Sequence, residues 1–533
     1  MREIEKIVFM IDEIAVYMAG FGFLFVIIVS MMQFIKKHKK KRLAELKKAK
    51  LKKADGIIFG GNGRKVVYSP AFSSGHVLSC AATGMGKTTT AVTSLREWGR
   101  IKPADKGKVK RTMYCIDISG DIEKNCPDVV NKLVCEPLPE LPEPPESLLA
   151  IDVACGVTNM DLESAEDVLR GILTEEEFQR VETDLVWYVE EMRRIIGNIV
   201  PYNIFGTVDQ LKTKEEKNTA LEQLAILLMP EKPNMNDNAR FFLLNGRKIL
   251  LSALIAYYHA GLDFTEICDK ILQNSFQKLF EDIDQQNNKE ASVLLNGFYM
   301  ANETNTAGCL QQCQDAISVF GRIDLLKESL RRPKQGEMAI EPKMLETHNI
   351  FLKIPEDRLE MLAPLMRLIS ADIMNYITVR KTTEESPMVL LYWDEFGSLN
   401  LDADTVVLPG LRRARKRRCR IWVLCQNISD FNVLYGEAVT RSMLSNFKYK
   451  LLLGGLGEPE SQKYFAELIG YRKSVKKSVT KGSQSMSETE SEQREYIIEP
   501  ADLDKQGKEW AILIASEEGQ GYLRLKKKPY YKC

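Results

Sequence analysis

The octapeptide Ala81-Ala82-Thr83-Gly84-Met85-Gly86-Lys87-Thr88 constrains this chain more than any other feature. It follows the apolar run His76-Val77-Leu78-Ser79-Cys80 and opens a stretch in which Val92, Leu95 and Trp98 recur at helical spacing. A strand, a glycine turn and a helix in that order are the setting of a phosphate-binding loop. Gly84 and Gly86 can take backbone angles closed to other residues, so successive N–H groups curl round a phosphate at the N-terminus of the next helix. In this reading Thr83, Gly84, Met85 and Gly86 line the curl. Lys87 reaches the terminal phosphates, Thr88 offers its hydroxyl to magnesium, and Thr89 comes next in the first helical turn. The cofactors implied are ATP and Mg2+. Ala81 stands where the usual pattern begins with glycine, which is tolerable only if that position has ordinary extended or helical backbone. The rival reading is a glycine-rich turn between an arbitrary strand and helix.

A second motif weighs against that rival. Met388-Val389-Leu390-Leu391-Tyr392-Trp393 is an unbroken apolar run of the kind that fills a fully buried parallel strand, and it ends in Asp394-Glu395-Phe396-Gly397. Two carboxylates at the carboxyl end of a buried strand suit a nucleotide site. Asp394 is expected to hold magnesium through water, and Glu395 to orient and deprotonate the attacking water. Residues 421–425 form another apolar run, and it ends in Gln426. If the two strands are neighbours, the Gln426 amide stands near the terminal phosphate as a sensor of hydrolysis; a polar strand end satisfied by a loop is the alternative.

Residues 14–35 (IAVYMAGFGFLFVIIVSMMQFI) carry no formal charge over 22 positions. At about 1.5 Å per helical residue such a run crosses a hydrocarbon core of about 30 Å. Residues 36–53 come next, with eleven Lys or Arg against Glu45 alone. By the positive-inside rule this flank stays cytoplasmic, which predicts a single-pass plasma-membrane protein with residues 1–13 outside and the bulk of the chain in the cytoplasm. The remainder is ordinary globular protein, 44% hydrophobic and 28% charged, with room for two to four domains. None of the eleven cysteines forms a C-x-x-C pair, and Cys80, Cys115 and Cys425 lie in apolar runs, the usage of reduced, buried thiols. The four histidines have no zinc-ligand spacing.

The soluble part reads as α/β. Residues 54–239 begin a doubly wound nucleotide domain, with strands expected at 65–68, 76–82 and 113–117 and an insertion at about 137–199 that opens on a proline-rich stretch. Residues 240–335 have helical period throughout and read as an inserted all-helical domain. Within them, residues 241–259 are apolar enough to raise a second membrane span, but Asn245, Arg247 and Lys248 favour a buried core helix. Residues 336–533 return to strands at 349–354, 388–393, 421–425 and 448–453 and complete the nucleotide domain. Residues 474–494, basic first and acidic later, read as a mobile loop; 496–498 and 510–514 read as an edge strand pair, with a basic tail after them. Arg412, Arg413, Arg415, Lys416, Arg417, Arg418 and Arg420 put seven cations in nine positions. An arginine finger toward a neighbouring subunit, a phosphate-tracking surface and a solvated face all fit that run.

The phosphate loop, the strand ending in Asp394-Glu395-Phe396-Gly397, GLRRARKRRCR, IWVLCQN, FNVLYG and SNFKYKLLLGG occur in an order that resembles the type IV secretion system coupling proteins, the TraG/TraD-like conjugative DNA transfer ATPases. Gln426, Tyr435-Gly436, Asn446 and Gly454-Gly455 fall at motif positions of that family, and Asp117 and Gly120 at its Asp-x-Lys-Gly-Glu turn, with Ser119 and Asp121 substituted there. The resemblance implies a RecA-like P-loop NTPase domain, a membrane-distal helical domain and a homo-hexamer. It also implies delivery of relaxase-bound DNA, single-stranded, to the secretion channel, and it puts Arg415 and Arg417 at finger positions. Coupling proteins commonly have two N-terminal spans, whereas this sequence offers one. The rival functions are a septal-type DNA translocase, a secretion ATPase, and an ATP-binding receptor that recruits relaxase without acting as a motor.

Overall fold

Buried apolar strands build an 11-stranded sheet in the computed structural model, which describes residues 56–532 apart from 63–64, 71–74, 102–109, 150–161, 232–234, 482–485 and 516–520. Its strands are β1 (Gly56–Asn62), β2 (Lys65–Pro70), β3 (His76–Ala81), β4 (Arg111–Asp117), β5 (Lys132–Cys135), β6 (Asn349–Lys353), β7 (Met388–Trp393), β8 (Cys419–Cys425) and β9 (Phe447–Gly454). A hairpin, β10 (Tyr471–Lys481) and β11 (Met486–Tyr496), stands apart as a separate two-stranded sheet, and β12 (Trp510–Ala515) and β13 (Leu523–Lys526) return to the large one. The order is β2-β1-β13-β12-β9-β3-β8-β7-β4-β6-β5. From β9 to β5 the pairing is parallel; β12, β13, β1 and β2 add an antiparallel flank.

Every residue of β3, β4, β7 and β8 is buried. Parallel strands covered on both faces must be apolar on both, which is why these runs do not alternate in sequence. They alternate in space instead. Leu78, Cys80, Leu391, Trp393 and Val423 join one core, while Val77, Leu390, Tyr392, Trp422 and Leu424 join a second core with the helix Lys87–Trp98.

Helical packing runs from Lys214–Leu228 through Asp237–His259 to Asp324–Leu330. The helix Asp237–His259 is capped by Asn236, whose side chain accepts from Ala239 N, and it buries Leu243, Ile249, Leu250, Leu254 and Tyr257. It is a core helix. Among the described residues no helix is long and apolar enough to cross a membrane. The apolar run 14–35, its basic flank 36–53 and the outer segment 1–13 lie outside the described residues. In the 137–199 segment, helices Leu162–Ile172 and Glu175–Gly197 share a core of their own, with Leu169, Phe178 and Leu185 fully or almost fully buried.

Two expectations are corrected. Residues 474–494, expected as a mobile loop, lie in the antiparallel β10–β11 hairpin, except 482–485, which are outside the described residues. The register sets Arg472 opposite Glu495, an ion pair at 3.5 Å, so a basic first arm and an acidic second arm in sequence suit an antiparallel fold-back. Residues 510–514 do not pair with 496–498; β12 sits inside the large sheet between β9 and β13. The basic tail begins within β13, and Lys527 just after that strand is buried.

Arg420 departs from the cationic run as well. It lies in β8, 1% exposed, with Nε donating to Gly75 O at 2.9 Å and a terminal nitrogen to Ser69 Oγ at 2.8 Å, so it is a structural cation and no anion-binding one. Arg420→Ala is expected to cost about 3 kcal/mol of unfolding free energy, because truncation strands buried acceptors. Denaturant melts of wild type and variant check this, and Arg412→Ala, on an exposed side chain, should stay within about 0.5 kcal/mol.

Candidate nucleotide site

Adjacent parallel strands bring the chemistry together. In the order β3-β8-β7-β4, the carboxyl ends deliver the phosphate loop, Gln426, Asp394-Glu395 and Asp117 to one edge of the sheet, where open α/β sheets bind ligands. Ala81 is the last residue of β3, so its backbone is extended and the missing glycine costs nothing there. Gly84 (φ 75°) and Gly86 (φ 80°) take the left-handed conformation that the curl needs, and a Cβ on Gly84 would meet nothing within 4 Å. The helix Lys87–Trp98 starts from Gly86 with no side-chain cap and no acidic residue in its first turn, which leaves its N-terminal N–H groups available to an anion. Thr89 Oγ1 donates to Gly86 O at 3.1 Å, and Thr88 is half-buried beside it.

Lys87 forms an ion pair with Glu395, its side chain 10% exposed and that of Glu395 27%. Gln426 Nε2 donates to the other Glu395 oxygen at 3.1 Å, and Thr83 Oγ1 lies 3.5 Å from Gln426 Oε1. Loop, β7 and β8 are thus joined through one carboxylate. Glu395 itself has φ 43°, a left-handed angle unusual outside glycine, which turns its side chain back toward the loop at a cost in strain. The next residue, an aromatic one, holds this turn: Phe396 is fully buried, stacked on Trp393 and Tyr435 with centroids at 5.6 and 5.9 Å and edge-on to Phe431 at 5.1 Å.

Asp394 is 6% exposed, and Tyr392 donates to its Oδ1 at 3.3 Å. Burial first, then the neighbouring negative charges of Glu395 and Asp117, push its pKa up to about 7 against the pull of Lys87. Asp117 at the end of β4 is fully buried and also shifted upward by burial; its Oδ2 accepts from Glu123 N at 2.8 Å, while its buried Oδ1 has no hydrogen-bond partner. Three carboxylates against Lys87 and, beside Asp117, Lys353 leave an excess of negative charge that a divalent cation would offset. The residues fit magnesium in that respect, through Asp394 and the Thr88 hydroxyl. Among the described residues no group of three His, Cys, Asp or Glu could cage a metal by itself, so phosphate oxygens and waters must complete the shell, as is usual for Mg2+.

Arg415 and Arg417 are not brought to this site. They lie in the turn Ala414–Arg417 before β8, at the amino ends of the strands, about 20 Å along a seven-residue strand from Gln426. Arg417 donates to Arg380 O at 3.1 Å, whereas Arg415 is exposed. Sequence reasoning placed Asp117 at a family turn without giving it a role in the site, although a buried strand ending in an acid is the same signal that marked Asp394.

Residues 388–508 match the family described as the TraM recognition site of TraD and TraG, a segment running from β7 through Glu395, Gln426, the Gly454-Gly455 turn and the hairpin. The match covers under a quarter of the chain, and over that segment the chain resembles the TraG/TraD-like type IV coupling proteins. Its fold agrees. The plasmid coupling protein TrwB in complex with a non-hydrolysable GTP analogue superposes with a TM-score of 0.59 at 14% identity, covering 91% of this chain and 92% of TrwB. TrwB with ADP and Mg2+ gives 0.58 at 15% identity with the same coverage, and the bacterial conjugative coupling protein TrwBdeltaN70, unbound, gives 0.57 at 13% over 85% of each chain. At these identities the likeness is one of fold. No curated protein sequence matches the chain. The motif glycines have structural causes: Gly436 (φ 76°) joins two helices, and Gly454 (φ 102°) and Gly455 (φ 70°) turn the chain against Met85 of the phosphate loop.

Proposed function

We propose that this chain is a membrane-anchored ATPase that couples ATP hydrolysis to delivery of relaxase-bound DNA, single-stranded, into a type IV secretion channel. The observation that carries this is the convergence of Lys87, Glu395 and Gln426, from the loop, β7 and β8, on one hydrogen-bonded unit. Lys87 exchanges its Glu395 partner for the terminal phosphate. Glu395, released, orients the attacking water and takes its proton. Thr88 and Asp394 would hold magnesium, which when bound would offset charge on the phosphates. Gln426 already touches Glu395 and so responds to loss of the phosphate. TrwB, which shares the fold, has been captured with ATP and GTP analogues and with ADP and Mg2+.

Arg415 is compatible with a homo-hexameric arrangement in this proposal, since it is exposed and a strand length from its own loop, so that any nucleotide it serves is a neighbour's. The run 14–35 with its basic flank supports a single pass in the plasma membrane, N-terminus outside, with the motor in the cytoplasm.

Conjugal transfer frequency tests the proposal. A donor whose only copy carries Glu395→Gln should transfer at least about 10²-fold less DNA than wild type, since hydrolysis depends on the base. Transfer at the wild-type level would mean a receptor that binds ATP without doing work.

A further inference from the structure

Behind the phosphate loop the last strand of the sheet ends, and the residue after it reaches the loop's backbone. Lys527 is 8% exposed although it stands in the run Lys526-Lys527-Lys528. Its Nζ donates to Met85 O of the loop at 2.7 Å and to Leu453 O of β9 at 2.5 Å. Period-two alternation puts it there: Leu523, Leu525 and Lys527 turn toward the core that contains the loop helix, while Arg524 and Lys526 are exposed. The tail is tied a second time one residue later, where Thr93 in the loop helix donates to Lys528 O at 2.5 Å. Met85 is held from the other side too. A Cβ on Gly454 would come within 2.9 Å of Met85 Cε, and one on Gly455 within 2.8 Å of Met85 Cγ, so the two glycines let β9 approach the loop closely.

The Met85–Gly86 peptide unit is planar and trans, so its carbonyl oxygen and its N–H point in opposite directions. A cation gripping Met85 O therefore fixes the direction of the Gly86 N–H, away from Lys527. Burial lowers the Lys527 pKa to about 8, a cost that a leucine continuing the inward face would avoid. The ammonium is kept there by the carbonyls that it bridges.

We infer that Lys527 is a positioning residue for nucleotide binding: by bridging Met85 O and Leu453 O it locks the loop peptide whose N–H, on Gly86, receives a phosphate. This rests on the phosphate-loop reading. The C-terminal strand thereby becomes part of the nucleotide site without touching nucleotide, and ATP affinity depends on a residue about 440 positions away from the loop.

The test compares the full-length chain with Lys527→Met, Lys527→Arg, Lys526→Met and Lys87→Ala, measuring magnesium-ATP dissociation constants by calorimetry and KM and kcat for ATP. Lys527→Met is expected to weaken ATP binding and raise KM about tenfold, the loss of one charge-assisted restraint on the loop, with kcat at saturation within about threefold. The chemistry-bearing Glu395 and Gln426 stand on other strands and are left in place. Lys527→Arg, which can still donate to both carbonyls, should bind within about threefold of wild type. Lys526→Met, which removes an exposed ion pair with Glu509, should match it. If Lys527→Met does not fold, Lys527→Gln is read in the same way. Wild-type affinity and KM in the Met or Gln variant, or a fall confined to kcat, would overturn the inference while ATP binding lost in Lys87→Ala keeps the loop reading intact. A wild-type chain that binds no ATP would overturn that reading itself.

Discussion

Glu395→Gln is expected to leave ATP binding intact and to lower turnover by about 10² to 10⁴-fold, the range for a positioned general base. Glutamine has the shape of glutamate, and its amide oxygen can still accept from Gln426 Nε2, so the β7–β8 contact at 3.1 Å survives. The negative charge is the part that disappears. Lys87, now paired with that carboxylate, would be free to meet phosphate without first breaking an ion pair, so ATP affinity should equal or exceed that of wild type. Equilibrium binding of a non-hydrolysable ATP analogue alongside steady-state turnover separates the two effects. Turnover near the wild-type rate would remove Glu395 from the chemistry, and lost binding would make it a prop for Lys87 instead of a base.

Lys87→Ala should act in the opposite way, on binding first. Lys87 is the cation paired with Glu395, and it is also the group that pulls the Asp394 pKa down against burial and two carboxylates. Its loss leaves Asp394 and Glu395 facing an incoming polyanion without their cation, with Lys353 beside Asp117 as the remaining positive charge. ATP affinity is expected to fall about 100-fold, corresponding to about 3 kcal/mol for a strong charge-assisted contact, and turnover at ordinary ATP concentrations to vanish. Calorimetric titration checks it, and the fold should be kept, since Lys87 lies at the start of its helix and packs no core. Affinity within about threefold of wild type would mean that the loop's N–H groups bind phosphate unaided.

The nucleotide site was legible because its signals are local. A buried parallel strand is a short apolar run, and the functional residues stand directly at the end of each one: the glycines after β3, Asp394-Glu395 after β7 and Gln426 after β8. That the three meet also needs the strand order β3-β8-β7; the sequence raised only the adjacency of the Gln426 and Asp394 strands, and the sheet supplies the rest. Pairing between distant segments was not legible. Neither β1, with its glycine-rich GIIFGGN, nor the insertion of β12 and β13 between β1 and β9 has a signature within its own segment. Charge hid two inward positions for one reason: a lysine or arginine was grouped with its cationic neighbours and its place in the strand alternation was passed over. Arg420 within the all-buried β8 and Lys527 two residues after the buried Leu525 both sit at inward positions, and the period-two rule applied through the cations would have flagged them. The β10–β11 hairpin escaped because neither strand is apolar; its complementarity lies between a basic arm and an acidic one, which only emerges when the segment is folded back on itself.

The most direct measurement is ATP turnover by the full-length chain with and without single-stranded DNA, beside Lys87→Ala and Glu395→Gln. Turnover that rises with DNA and is lost in both variants is the predicted result, because one cluster of loop lysine, β7 carboxylate and β8 glutamine would then be the engine of DNA movement. ATP bound by wild type but never hydrolysed, whatever DNA is added, would contradict it.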